Sequence, residues 1–81
     1  MRSPTSPPLT MEEHDELGRE LRQTRLRMRE LSRLVAGVYG PQNRAAFTFQ
    51  KTTEYLDYLC GELQAQAADD LPGQKVDGLY S

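Results

Sequence analysis

The chain holds one histidine, His14, and one cysteine, Cys60, so any acid–base, nucleophilic or metal chemistry would have to pass through them. His14 stands in the run Glu13-His14-Asp15-Glu16. On a helix, consecutive side chains point about 100° apart, so these three carboxylates cannot converge on the imidazole, and a solvated ring is expected. Cys60 has no histidine near it in sequence and neighbours apolar residues, where a thiol behaves as a small hydrophobe. No glycine loop for phosphate, Gly-x-Ser-x-Gly elbow or metal-ligand spacing occurs. The expectation is therefore a protein that is not an enzyme, with no catalytic residue, metal, cofactor or small-molecule substrate.

The second kind of chemistry open to this chain is electrostatic. Residues 19 to 33 carry six arginines against two glutamates, whereas residues 45 to 70 carry one lysine against five carboxylates. With a net charge of -2 there is no global cation excess for a polyanion, so anion binding would need a local patch. Arg19, Arg22, Arg29 and Arg33 are the candidate contacts for an acidic partner or a phosphate backbone. Nothing resembles a base-reading motif. Between the two segments, opposite charge predicts a general attraction more than defined ion pairs.

The elements that carry these residues can be read from punctuation and period. Residues 1–9 are rich in Pro and Ser and read as a disordered arm, with Ser3-Pro4 and Ser6-Pro7 as sites a proline-directed kinase could modify. Thr10 followed by Glu13 forms a capping box that starts a first helix, about 11–38. Leu17, Leu21, Met28, Leu31, Val35 and Val38 then recur in steps of four and three, broken at Thr24. Gly37 or Gly40 can end this helix, and Pro41 can only begin another, which places a turn at 38–41. Asn43 offers a slightly later cap. A second helix, about 42–69, carries Ala45, Phe49, Thr52, Leu56, Leu59 and Leu63 on matching spacing, and Pro72-Gly73 ends it. Residues 71–81 read as a flexible tail, frayed or docked as a strand through Val76, Leu79 and Tyr80.

So short a connection makes the helices antiparallel. The fold class is all-α: a coiled-coil-like two-helix hairpin over residues 10–70. One stripe from each of two helices is a small core for 81 residues. Leu26, Leu34, Tyr55 and Tyr58 fall off the stripes and call for further helices. The expected interface comprises these four together with Leu17, Leu21, Met28, Leu31, Phe49, Leu56, Leu59 and Leu63. Self-association or a partner subunit would complete the bundle. The implied function is that of a small helical adaptor or structural subunit binding protein, as a homo-oligomer or within a larger complex. The alternative is a nucleic-acid-associated regulator presenting the arginine-rich face. A lone cysteine fits an intracellular, cytoplasmic or nuclear setting, and the sequence has neither a signal-peptide core nor a membrane span.

Overall fold

The structure, a computed structural model, describes residues 7–81, so most of the Pro/Ser-rich arm, with Ser3-Pro4 and Ser6, lies outside the described residues. Two helices, α1 (Met11–Tyr39) and α2 (Arg44–Asp70), fold back on each other, and no strand occurs among the described residues. The capping box forms as the sequence predicts: the Glu13 amide donates to the Thr10 hydroxyl (3.2 Å) and the Thr10 amide to the Glu13 carboxylate (3.0 Å). Gly40, not Gly37, ends α1 with φ of 88°, a backbone only glycine adopts without strain. Asn43 caps α2 by accepting from the Ala45 and Ala46 amides, leaving Pro41 in the turn instead of the helix.

The line of contact between the helices differs from the apolar spacing in the sequence. Its positions on α2 are Ala46, Phe49, Thr53, Leu56, Cys60, Leu63 and Ala67, all buried or half-buried, while Ala45, Thr52 and Leu59 are exposed. On α1 the inward positions are Met11, His14, Gly18, Leu21, Arg25, Met28, Ser32 and Val35. Thr24 is exposed, and Arg25 fills the place where the apolar series breaks. Val38 is 65% exposed. Both helices are thus turned about 50°, half a residue step, from the alignment that maximises apolar contact between them. At the contact, small or polar residues such as Gly18, Ser32, Ala46, Cys60 and Ala67 thus alternate with Leu21, Met28, Phe49, Leu56 and Leu63.

The fully buried core lies at the end away from the turn, and it includes residues from the tail. Cys60, Ala67, Val76 and Tyr80 form one cluster, with Leu17, Leu21, Leu63, Leu71 and Leu79 packed against it. The segment expected to be flexible is docked, without becoming a strand: positive-φ glycines at Gly73 and Gly78 turn it back along the groove between the helices. Val76, Leu79 and Tyr80 are too few, in a turn-rich stretch, to set a strand or helix period, so the sequence leaves docking open beside fraying. The molecule measures 47 × 26 × 16 Å, one helix deep and two helices wide, and the tail covers one side of that layer.

Candidate functional site

His14 is fully buried, which corrects the expectation of a solvated ring. Its partners come from the far end of the chain. Nε2 lies 2.9 Å from the Asp70 carboxylate and Nδ1 lies 2.6 Å from the Tyr80 hydroxyl, with the Tyr80 ring edge-on at 5.9 Å between centroids. In the neutral ring only one assignment satisfies both contacts: Nε2–H donates to the carboxylate and Nδ1 accepts the phenol hydrogen. The hydrogen bond from His14, then that from Gln66, holds Asp70 below the usual carboxylate range. Burial, with the Asp70 carboxylate adding to it, holds Tyr80 above the usual phenol value. Asp70, an unfavourable residue at a helix C-terminus by its dipole, is thus used as an acceptor for a buried imidazole.

The rest of the site grips the main chain of the tail. Arg22 donates to the Leu79 carbonyl (2.8 Å) and Arg25 to the Tyr80 carbonyl (3.0 Å). Gln64 uses both ends of its amide, donating to the Val76 carbonyl (2.7 Å) and accepting from the Tyr80 amide (3.2 Å). Gly18 is buried beneath Leu79, and a Cβ there would fall within the van der Waals shell of the Leu79 carbonyl. Arg25 also pairs with Asp57 at 2.9 Å, and Arg29 reaches the same carboxylate at 3.5 Å. The attraction between the helices is therefore partly a defined bridge, because Asp57 turns into the flank and does not point outward.

The triad of imidazole, carboxylate and phenol holds a fold together. Both ring nitrogens are engaged and the ring has no solvent access, so no reactant can reach it. Cys60 is buried with no histidine among its cluster, in keeping with the packing role expected of it. Among the described residues no group of three His, Cys, Asp or Glu side chains could hold a metal, and no helix is long and apolar enough to cross a membrane.

No protein-family model, curated protein or solved structure matches this chain.

The candidate interface residues divide into three groups. Leu17, Leu21 and Leu63 pack against the tail cluster. Met28, Leu31, Phe49 and Leu56 are half-buried at the edge of the helix contact. Leu26, Leu34, Tyr55, Tyr58 and Leu59 are exposed by 59, 61, 75, 67 and 44%, so Leu59 leaves the seam assigned to it and Cys60 takes its place. Tyr55 and Tyr58 line a shallow depression on the outer side of α2 beside Lys51, whose ammonium lies 5.4 Å from the Phe47 ring centroid. On the side of the layer opposite the tail, Met28, Phe49, Ala45, Thr48 and Thr52 line an open trough of about 500 Å³.

The candidate anion contacts divide as well. Arg19 is exposed and pairs with Asp15 one turn away. Arg22 is spent on the tail, Arg29 shares Asp57, and Arg33 faces the groove on the tail side. Sequence reasoning missed His14, Gly18, Arg25, Gln64, Asp70 and Tyr80 as one constellation. The only signal available was an inward helical position filled by polar residues at His14 and Arg25 in a heptad register.

Proposed function

We propose that this chain is a non-enzymatic helical adaptor or structural subunit whose tail-free face packs against a second layer of helices, from another copy or a larger partner. One observation carries the reading. The apolar series shares Met28, Val35, Phe49, Leu56 and Leu63 with the helix contact and continues from it onto Leu31 of α1 and Leu59 of α2, on the side the tail leaves open. Apolar residues at the contact positions plus one flank are the pattern of a helix that touches two neighbours in a bundle. With the molecule one helix deep, no element among the described residues supplies that second neighbour.

Association is tested by sedimentation equilibrium of the full chain with Leu59→Glu as comparison. Leu59 is 44% exposed, so a charge there leaves the hairpin intact but faces any second layer. Wild type should associate with rising concentration, or co-purify with a stoichiometric helical partner, and the variant should do neither while keeping its helical circular dichroism. A wild-type monomer that melts cooperatively at every concentration and retains no partner would remove the proposal. The alternative, α1 laid along nucleic acid, has less support. Arg22 and Arg25 turn toward tail carbonyls and Arg29 toward Asp57, leaving few guanidinium groups free for phosphates.

A further inference from the structure

We infer that the occupant of the open face is a second copy of this chain, turned end for end about a two-fold axis that crosses α1 at Thr24 and α2 at Leu59. The inference rests on the assembly reading above and names its partner. Seven-residue spacing puts Leu17, Thr24 and Leu31 on one line of α1, and Thr52, Leu59 and Gln66 on one line of α2. Both lines flank the helix contact on the side away from Arg22, Asp57 and Gln64, which lie toward the tail, so their side chains point at a second layer. Rim lines outside them carry Glu13, Glu20 and Arg27 on α1 and Glu62 and Asp69 on α2.

Each inner line reads alike from both ends. Leu17 and Leu31 stand seven residues either side of Thr24, and Thr52 and Gln66 stand seven either side of Leu59. The two midpoints share one level, because Arg25 meets Asp57 and His14 meets Asp70 across the hairpin. That level is close to the middle of both helices, so a half-turn about it overlays two copies along nearly their whole length. A face 47 Å long and 26 Å wide is broad enough for the roughly 800 Å² per partner of a stable interface. Contact between identical patches requires such symmetry about a centre, whereas contact with an unrelated chain does not.

Charge selects between the two ways of stacking the layers. End for end, Leu17 lies over Leu31 of the second copy, Leu59 over its own equivalent, and Thr52 over Gln66. At the rim Glu20 then lies beside Arg27 of the second copy, and symmetry repeats the pair. Arg27 also reaches Glu30 on its own helix at 3.4 Å, an exposed contact of little strength that leaves further guanidinium donors for a second carboxylate. With both turns at the same end, α1 would lie on α2 of the second copy at equal levels. Glu20 would meet Glu62 and Glu13 would meet Asp69, each twice, while Leu17 and Leu31 would face Gln66 and Thr52. Like charges and unmatched polar groups oppose that arrangement.

The test measures the mass of the full chain by sedimentation equilibrium and follows covalent dimer formation by Thr24→Cys under mild oxidation. Wild type, whose Cys60 is buried, is the comparison. End for end, the two Thr24 positions face each other across the axis, within the Cα separation of about 4.4–6.8 Å that a disulfide spans. The variant should cross-link and wild type should not. Arg27→Glu and Glu20→Arg should each weaken dimerisation about tenfold, since each creates two like-charged pairs, and the double variant should return to within about threefold of wild type. All three positions are exposed, so helical circular dichroism is retained. A dimer in which Thr24→Cys does not cross-link, or in which the double variant fails to recover, overturns this arrangement and leaves the assembly face standing. A monomer that holds a larger helical partner overturns the second copy as occupant and keeps the assembly reading. A monomer that holds nothing overturns both.

Discussion

Gly18→Ala reports directly on whether the tail is held, because the two outcomes differ in sign. Gly18 lies inside α1, where alanine is intrinsically better than glycine by about 1 kcal/mol. If the groove beside it were empty, the substitution would raise stability by that amount and the melting temperature by about 4–8 °C. In the docked structure the new Cβ meets backbone: it falls within the shell of the Leu79 carbonyl oxygen and 2.9 Å from its carbon, with Tyr80 Cδ1 at 3.6 Å. Overpacking of that kind costs about 1–3 kcal/mol. Moving the Leu79 carbonyl also breaks its charge-assisted bond from Arg22, about 1.5 kcal/mol for a half-exposed donor. Set against the helix gain, the net loss is about 1.5 kcal/mol or more, a fall in melting temperature of at least about 6 °C. Thermal unfolding by circular dichroism gives the sign, and hydrogen exchange at the Tyr80 amide, bonded to Gln64, reports the tail itself. A melting temperature that rises in Gly18→Ala, with Tyr80 exchange unchanged, would refute the docked tail.

Other perturbations reach the same clasp by different routes. Tyr80→Phe removes the phenol from His14 Nδ1, and His14→Ala leaves the buried hydroxyl without an acceptor; each should destabilise by about 1–3 kcal/mol. The double variant should recover part of that sum, and strict additivity in a mutant cycle would show that the contact is not made. The folded state keeps the Tyr80 phenol protonated by raising its pKa, so the tail's stability is complete below the unfolded value near 10 and is lost as pH rises past it. Asp70 works in the opposite direction. Its lowered pKa supports docking above the ordinary carboxylate range, and that support is lost as pH falls through the folded value. The Val76 methyl resonances should therefore hold their docked positions across neutral pH and shift at both extremes. A docked signal that never responds as pH is raised above the unfolded phenol value would contradict the buried phenol. Asp57→Asn, which frees Arg25 and Arg29 at a half-exposed site, should cost under about 1 kcal/mol by urea unfolding.

The elements themselves were legible without coordinates, since each rests on local chemistry. Thr10 with Glu13 sets one helix start, Gly40 with Pro41 sets the reversal, and Asn43 caps the second helix; all three act within a few residues of themselves. The tertiary fold decided how the two helices are rotated. Apolar spacing alone selects the stripe richest in large side chains, but close approach of two backbones favours small residues, and Gly18, Ala46, Cys60 and Ala67 took the contact instead. It also decided the fate of His14, Arg25 and Asp70, which look like surface charge in sequence. Their partners stand 56, 32 and 56 residues away, a separation at which neither period nor spacing carries information. Only the return of the tail brings Tyr80 to the imidazole, and it is the rotation of the helices that divides the apolar stripe between the contact, at Met28, Phe49 and Leu56, and the open flank, at Leu31 and Leu59.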